Sequence, residues 1–147
     1  MRAVLTRVAS ASVDIDGKTV GQIGKGYLVL LGVHKDDTED DARRLGEKVC
    51  NLRIFEDENG KMNLNLETVG GEILVISQFT LLADTSSRRP GFTDAARPDK
   101  AVPLYELFMD ICRQRGFNVL HGEFGADMQV HSINDGPVTI IFDTREH

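Results

Sequence analysis

The sequence predicts a single α+β domain over residues 1–147, with largely antiparallel sheets and two main helices. The length of 147 residues is that of about one domain, which buries enough surface to fold without disulfides. The apolar fraction of 41% and the charged fraction of 27% are ordinary for a globular protein. Stretches of alternating β-branched residues are interrupted by two segments with helical spacing, a pattern typical of α+β folds.

The first half of the chain predicts a hairpin, a buried strand, a helix and two further strands. Asp16-Gly17 is a hairpin turn signal between two alternating segments. A helix is expected to begin at Thr38, because Asp41 follows it at the spacing of a capping box. The apolar face of this helix is formed by Ala42, Leu45, Val49 and Leu52. The strands are expected at residues 2–14, 18–23, 27–33, 61–66 and 72–79.

The second half predicts a long loop, a second helix and three short strands. Residues 83–100 are rich in Ser, Arg, Asp and Pro, and loops of that length are usually functional or disordered. Gly116 is expected to end the helix that follows. Its apolar stripe comprises Leu104, Leu107, Phe108, Ile111 and Cys112. The strands are expected at residues 118–122, 128–133 and 138–142, with 134–137 as the connection between the last two.

The charge balance argues against a protein that coats nucleic acid through a broadly basic surface. Seventeen basic and 23 acidic side chains give a net charge of −6. A local basic patch is compatible with that balance, because the polar loop contains Arg88, Arg89, Arg97 and Lys100. The acidic residues concentrate in one segment, where a solvated face is the ordinary interpretation. They are Asp36, Asp37, Glu39, Asp40 and Asp41.

The expected compartment is the cytoplasm. The longest apolar run, 27–33, is far shorter than the ~20 residues that span a bilayer. The first residues also lack the basic-then-apolar order of a signal peptide. Cys50 and Cys112 form neither a disulfide framework nor a CxxC pair, so both are expected to be buried small hydrophobes.

No metal and no organic cofactor is expected. The histidines at 34, 121, 131 and 147 are scattered, and no phosphate-binding loop, dinucleotide glycine pattern or nucleophile elbow occurs. One alternative is a metal-dependent hydrolase that would place His121, Glu123 and His131 around an ion. A second alternative is a module that binds a nucleotide ligand without turnover.

Two short segments depart from the ordinary pattern. In Ser77-Gln78-Phe79-Thr80-Leu81 an apolar strand continues into hydroxyl and amide side chains, just before the long polar loop where binding pockets commonly open. The second segment, Asn134-Asp135-Gly136-Pro137-Val138-Thr139, lies near the C-terminus. Taken singly, the first indicates an ordinary strand end and the second an ordinary turn.

Together, the two segments resemble the motifs of the D-aminoacyl-tRNA deacylase family, formerly called D-tyrosyl-tRNA deacylases. Other parts of the chain resemble it too: Met1-Arg2-Ala3-Val4, Gly26–Gly32, Leu52-Arg53-Ile54-Phe55 and Arg89-Pro90-Gly91-Phe92. The resemblance implies a cytoplasmic homodimer with active sites at the subunit interface. It implies hydrolysis of the ester that joins a D-amino acid, or glycine mischarged on tRNA(Ala), to the terminal adenosine of tRNA. L-aminoacyl-tRNA would be spared, which is chiral proofreading.

The resemblance also implies which residues form the site. Ser77, Gln78, Phe79 and Thr80 would line the catalytic site that holds the terminal adenosine and the scissile carbonyl. Gly136 and Pro137, joined by a cis peptide bond, would project from the partner subunit and select the chirality of the amino acid.

The chemistry of these residues leaves two mechanisms open. Backbone N–H groups near Phe79 and Thr80 are suited to an oxyanion hole, since an aminoacyl ester is already activated. Thr80 is either a nucleophile or a residue that positions water. Because no base stands beside it in the sequence, a mechanism in which the ribose 2′-hydroxyl of the substrate activates water is favoured.

Overall fold

The computed structural model describes residues 1–146, which form one mixed six-stranded sheet, a small two-stranded sheet and two α-helices. The strands are β1 (Arg2–Ile15), β2 (Lys18–Ile23), β3 (Gly26–Gly32), β4 (Phe55–Glu56), β5 (Met62–Leu64), β6 (Glu72–Ser77), β7 (Val119–His121) and β8 (Gln129–Asp143). The helices are α1 (Glu39–Asn51) and α2 (Pro98–Gln114), with a short 3-10 helix at Phe79–Leu82. The predicted α+β class and both main helices are confirmed.

The six-stranded sheet is built around β1. Along one side β1 pairs antiparallel with β8, and along the other it pairs antiparallel with β3 and then with β2. The remaining pairs, β3 with β6 and β6 with β7, are parallel. Parallel neighbours need a crossover connection, and the chain between β3 and β6 supplies one that contains α1. The predicted antiparallel character therefore holds around β1 and not at β6.

Both faces of the central strands are buried. One core cluster joins the two helices to one side of the sheet through residues such as Tyr27, Val29 and Phe108. A second cluster covers the opposite side and contains Leu28 and Leu74. Strands that are covered on both faces have continuous apolar sequences. This explains why the runs that contain β3 and β6 were the clearest strand signals in the chain.

The last strand differs most from its prediction. Residues 129–143 form one continuous strand, whereas the sequence predicted two strands with 134–137 as a connection. Thr139 pairs with Thr6 and Asn134 pairs with Val8, so the four residues 135–138 stand opposite the single residue Arg7 as an extended bulge. The turn-like sequence Asn-Asp-Gly-Pro is therefore used inside a strand, where β1 keeps both flanking parts in one ladder.

Two boundaries also move relative to the prediction. β6 ends at Ser77, because the chain turns into the 3-10 helix before the predicted end at residue 79. The polar loop is shorter than expected, since α2 begins at Pro98, a residue whose fixed φ suits the first turn of a helix.

The charged and thiol residues mostly follow expectation. Cys50 and Cys112 are free and buried, and their mutual hydrogen bond together with burial raises the pKa of the Cys112 thiol. The acidic segment is not wholly solvated, because Asp37 is fully buried and its carboxylate lies 2.8 Å from the Met1 ammonium. Over residues 1–146, no helix is long and apolar enough to cross a membrane.

Candidate active site

The first motif lies where β6 ends and the 3-10 helix begins. The Gln78 N–H donates to the Leu31 carbonyl at 2.8 Å, which carries the sheet ladder one step beyond Ser77. The helix then packs over the end of β3 at Gly32. A Cβ there would lie 2.5 Å from Leu82 Cδ2 and 3.1 Å from the Gln78 carbonyl oxygen. Glycine at position 32 therefore allows the 3-10 helix to approach the sheet closely.

A cavity of about 270 Å³ opens beside this motif. Ser77, Gln78, Phe79 and Thr80 line one side of it, so the structure brings together all four predicted catalytic residues. The other side is formed by the segment 124–128, which sequence reasoning missed. Phe124 and Met128 give this segment its large apolar side chains, but nothing in their spacing distinguishes them from core residues.

Two backbone donors at the start of the 3-10 helix are unpaired. Neither the Phe79 N–H nor the Thr80 N–H donates a hydrogen bond to any atom of residues 1–146. The first amides of a helix have no partner within it, so both are free to bind an acceptor from outside. This is the donor arrangement that stabilises the negative oxygen of a tetrahedral intermediate.

The Thr80 side chain is exposed, and no base hydrogen-bonds to it. Its hydroxyl makes no hydrogen bond within residues 1–146. Asp127 is the one titratable residue among those that line the cavity. A free threonine hydroxyl is a weak nucleophile unless a base activates it, so this geometry favours a positioning role for Thr80.

Phe79 offers an aromatic surface at the rim of the cavity. Its side chain is 54% exposed, which is unusual for a residue in a well-packed strand-to-helix junction. The Phe92 ring meets it edge-on, with ring centroids 5.1 Å apart and an angle of 75° between the planes. Phe92 thereby supports Phe79 from the loop, while the exposed part of the Phe79 ring is available for stacking on a ligand.

Arg2 ties the 3-10 helix to the sheet. Its Nη1 donates to the Leu81 carbonyl at 2.8 Å, and its Nε donates to the Asp143 carboxylate at 2.9 Å. Burial alone would raise the pKa of Asp143. Hydrogen bonds from the Arg145 N–H and from Arg2, together with the Arg2 charge, outweigh burial and lower this pKa. The contact joins the first strand, the last strand and the site helix, so it fixes the position of the Phe79 and Thr80 amides.

The second motif lies in the bulge of β8. The Gly136-Pro137 peptide is cis, as the resemblance implied. Arg7 holds this bulge from β1: its Nε donates to the Asp135 carbonyl at 3.0 Å and its Nη1 to the Ile54 carbonyl at 2.6 Å. Sequence reasoning missed Arg7, because its partners lie 128 and 47 residues away along the chain.

The two motifs of one chain do not meet. Between β6 and β8 lie β3 and β1, so strand spacing alone separates Ser77 from the Gly136-Pro137 bulge by roughly 14 Å. Ser77 is also level with Ala3 on β1, whereas the bulge is level with Arg7. Neither Gly136 nor Pro137 lines the cavity of its own chain.

The residues of the metal alternative are not clustered. His121 and Glu123 line a neighbouring cavity of about 540 Å³, next to Phe124. His131 lies on β8, and its Nε2 is 3.1 Å from Asp14 Oδ2. Within residues 1–146 there is no group of three or more His, Cys, Asp or Glu side chains placed to hold an ion.

Fold and site together define a single α+β domain whose cavity offers paired backbone donors and an exposed aromatic ring to a carbonyl-bearing ligand. The sequence profile of the family described as D-Tyr-tRNA(Tyr) deacylase matches residues 4–143. The chain therefore belongs to the D-Tyr-tRNA(Tyr) deacylase family. The predicted class, a deacylase and hence a hydrolase, is confirmed by this membership.

Curated relatives agree over nearly the whole length. A D-aminoacyl-tRNA deacylase of Thermosipho africanus is 54% identical and covers 99% of both chains. One from Geobacter sulfurreducens is 55% identical and covers 99% of this chain and 96% of its own.

Solved structures show the same fold. A structure described as c-Myc DNA Unwinding Element Binding Protein is 40% identical, with a TM-score of 0.92 over 98% of this chain and 99% of its own. A probable eukaryotic D-amino acid tRNA deacylase shares the fold at 20% identity, with a TM-score of 0.84 over 96% of this chain and 97% of its own.

Proposed function

We propose that this protein hydrolyses the ester of D-aminoacyl-tRNA and of glycyl-tRNA(Ala), and spares L-aminoacyl-tRNA. The observation that carries the proposal is the pair of unpartnered amides, Phe79 N–H and Thr80 N–H, beside a cavity in a chain of this family. The relatives named above are D-aminoacyl-tRNA deacylases, which supports the same substrate class. The reaction is expected in the cytoplasm, where the two thiols stay reduced.

The proposed reaction begins with attack of water on the ester carbonyl carbon. The two amides stabilise the oxyanion that forms, an effect typically worth ~10²–10³ in rate per donor. The bond from the carbonyl carbon to the ribose 3′-oxygen then breaks, and that oxygen takes a proton. The products are the free amino acid and tRNA with its 3′-hydroxyl restored.

Activation of the attacking water is assigned to the substrate. Since no base among residues 1–146 hydrogen-bonds to the Thr80 hydroxyl, we assign the water to the neighbouring ribose 2′-hydroxyl, which orients and polarises it. Thr80 then acts by holding the reacting groups in place. The terminal adenine is expected to stack on the exposed face of Phe79, as unpaired bases do on aromatic side chains.

The complete site requires a homodimer. Gly136 and Pro137 of one chain lie too far from the cavity of that chain to touch its ligand, so the partner subunit would supply them. The outer edge of β8 supports this arrangement. That strand pairs only with β1 among residues 1–146, and Ile133 and Ile141 on it are 65% and 67% exposed.

Chirality would follow from steric exclusion. With the ester, the ribose and the α-amino group all fixed, one direction at the α-carbon remains open, and a D side chain takes it. An L side chain would run into the Gly136-Pro137 backbone, which Arg7 holds in place. Glycine has no side chain and would be accepted. Because exclusion makes no contact with the accepted side chain, many D-amino acids are expected as substrates.

One assay tests this proposal. D-tyrosyl-tRNA, L-tyrosyl-tRNA and glycyl-tRNA(Ala) are incubated with the protein, each with and without chelator, and the released amino acid is measured. The proposal expects release from the first and third substrates and not from the second, whether or not chelator is present. Comparable turnover of the L- and D-tyrosyl substrates would overturn it.

The same assay separates the two alternatives. The structural neighbour described as a DNA unwinding element binding protein favours a nucleic-acid-binding module as second candidate. Such a module would retain labelled D-tyrosyl-tRNA on a filter without releasing tyrosine. A metal-dependent hydrolase would lose its activity in chelator and regain it when divalent ions are restored.

A further inference from the structure

Three arginines in the segment that follows the first motif have no side-chain partner among residues 1–146. Arg88, Arg89 and Arg97 are exposed, and their guanidinium groups make no hydrogen bond or ion pair within residues 1–146. Most other arginines are held by acceptors of the chain, for example Arg2 by Asp143 and Arg115 by Glu47. Exposed guanidinium groups that have no acceptor of their own are suited to phosphate, which they bind through paired donors.

The loop that carries Arg88 and Arg89 is closed by backbone hydrogen bonds. Asp84 and Gly91 exchange two backbone hydrogen bonds of 2.8 and 2.9 Å, which closes residues 84–91 into a lobe. Phe92, directly after the lobe, packs on Phe79 at the rim of the cavity. Arg88 and Arg89 therefore lie within four positions along the chain of Phe92, whose ring supports the proposed adenine-stacking residue Phe79.

The acidic residues of this segment are already engaged or lie elsewhere. The Asp84 carboxylate accepts the Ser86 N–H at 2.9 Å, and Asp94 forms an ion pair with Lys35 at 3.2 Å. Asp99 lies in the first turn of α2, where a carboxylate interacts favourably with the helix dipole. None of the three forms an ion pair with an arginine of the segment. Although the chain has a net charge of −6, no carboxylate of this segment neutralises these arginines.

We propose that Arg88, Arg89 and Arg97 form a phosphate-binding surface for the acceptor stem of tRNA, and that this surface delivers the aminoacylated 3′ end to the cavity. This inference rests on the proposed function and adds the part of the substrate that is bound outside the cavity. The surface recognises the phosphate backbone, so it contributes affinity and orientation without reading base sequence.

Counterion release sets the expected size of the effect. Each phosphate contact changes the logarithm of affinity by about 0.7–0.9 per logarithmic unit of salt concentration. At 0.15 M salt, one contact is therefore worth about 4- to 6-fold in affinity, and two contacts about 15- to 30-fold. Removal of Arg88 and Arg89 together should raise KM for the tRNA substrate by that factor and leave kcat at saturation unchanged.

The test compares two substrates that differ in their phosphates. One is D-tyrosyl-tRNA, and the other is 3′-O-D-tyrosyl-adenosine, which carries the ester and the base but no stem. The variant Arg88→Gln/Arg89→Gln should lose about 15- to 30-fold in kcat/KM on the first substrate and keep its value on the second. Its slope of log kcat/KM against log salt on tRNA should also flatten by about 1.4–1.8.

Two further variants serve as controls. Lys48→Gln/Lys61→Gln removes the same charge from exposed residues on α1 and on the β4–β5 turn, and it should keep both kcat/KM values and the salt slope. Arg88→Lys/Arg89→Lys keeps the charge and should recover most of the affinity for tRNA. Arg97→Gln should give about 4- to 6-fold loss on tRNA alone.

The outcomes separate this inference from the proposed function. If the wild-type protein cleaves neither substrate, the proposed function fails. If it cleaves both while Arg88→Gln/Arg89→Gln behaves as wild type on tRNA, the phosphate-binding surface is refuted and the deacylase stands. An equal loss on both substrates would also refute it, because that result means the lobe supports the cavity and not the stem.

Discussion

Thr80 is the residue at which the two candidate mechanisms differ. Its hydroxyl is exposed and without a base, so we expect it to hold a reacting group and not to form a covalent ester. Thr80→Ala should then lower kcat on D-tyrosyl-tRNA by about 10- to 100-fold, the loss of one hydrogen bond to a charged group. Loss of a covalent nucleophile would instead lower kcat by about 10⁶-fold. Single-turnover release of tyrosine distinguishes these values.

The control is a substrate that ends in 2′-deoxyadenosine. Its D-tyrosine is esterified to the remaining 3′-hydroxyl. If the 2′-hydroxyl activates water, the wild-type enzyme should cleave this substrate much more slowly than the ribose form. Thr80→Ser, which keeps the hydroxyl, should stay close to wild type on both. An inactive Thr80→Ala enzyme together with normal turnover of the deoxy substrate would reverse the assignment and make Thr80 the nucleophile.

Gly136 is the second residue for which a substitution is informative. Its φ is +141°, and a Cβ there would lie 2.6 Å from the Val138 nitrogen, so alanine has to displace the bulge. We expect Gly136→Ala to reduce the ratio of D- to L-tyrosyl-tRNA hydrolysis by at least about tenfold, which is a loss of ~1.4 kcal/mol of discrimination. The ratio of kcat/KM for the two substrates measures the effect directly.

Gly17→Ala is the matched control, because Gly17 also has a positive φ, +77°, but has no atom within 4 Å of its Cβ position. It should lose stability and keep the D-to-L ratio. If both variants change the ratio equally, backbone strain in general and not the bulge would be responsible.

The candidate site residues that the family resemblance implied fall in two runs of consecutive residues. Ser77, Gln78, Phe79 and Thr80 are consecutive, and so are Gly136 and Pro137. Arg2 and Arg7 act on the two motifs through Leu81 and Asp135, residues brought near by β-sheet pairing. A single sequence carries no sign of such pairing, because any surface arginine has the same local pattern.

At the scale of elements, helical periodicity predicted both helices correctly, whereas turn-like composition led to a wrong prediction for the last strand. The helical spacing around Leu45 and Phe108 predicted α1 and α2, since each has one buried face. The Asn134–Pro137 segment has turn chemistry, yet β8 continues through it as a bulge. Long-range pairing of β8 with β1 overrides the local preference, and that pairing is not visible in residues 134–137 themselves.

The first turn of α1 gives a prediction for acid stability. Burial alone would raise the pKa of Asp41, but hydrogen bonds from Thr144 and the Thr38 amide, with the nearby N-terminal charge, lower it to about 2. The folded-state pKa thus lies below the unfolded value of about 3.9. Ionised Asp41 therefore stabilises the fold above about pH 4, and this contribution is lost as the pH falls toward 2.

Asp41→Asn should accordingly destabilise the protein at pH 7 by about 1 kcal/mol and cost much less near pH 2. Urea unfolding of both proteins at several pH values measures the difference in free energy of unfolding. Asp40→Asn is the control, because Asp40 is exposed and, among residues 1–146, forms its ion pair with Arg44 on the helix surface. A difference that stayed constant from pH 7 to pH 2 would contradict the role of the ionised carboxylate.

At the scale of the whole molecule, one chain keeps its two motifs apart and, among residues 1–146, leaves one edge of β8 without a paired strand. The cavity at Thr80 and the bulge at Pro137 face different surroundings in one chain, and β8 presents its free side along 15 residues. Long exposed edge strands with apolar side chains are a liability that proteins cover. A twofold dimer would meet both needs, since each subunit would give its bulge to the cavity of the other.

This arrangement predicts that β8 controls both assembly and activity. Ile133 and Ile141 are 65% and 67% exposed on β8, and a glutamate at either position would face the interface in each subunit. We expect Ile133→Glu/Ile141→Glu to be a folded monomer by light scattering and circular dichroism. It should have lost at least about 100-fold in D-tyrosyl-tRNA hydrolysis, because a site without the partner's bulge forfeits ~3 kcal/mol or more of positioning.

Met62→Glu tests whether the effect belongs to β8. Met62 lies on β5 and is 53% exposed, so its substitution changes a similarly exposed apolar residue outside the proposed interface. It should remain a dimer with wild-type activity. A monomeric Ile133→Glu/Ile141→Glu protein that hydrolysed D-tyrosyl-tRNA at the wild-type rate, with L-tyrosyl-tRNA still spared, would show that one chain suffices. Gly136 and Pro137 would then have no part in the site, and the source of chiral selection would have to be sought among residues 124–128.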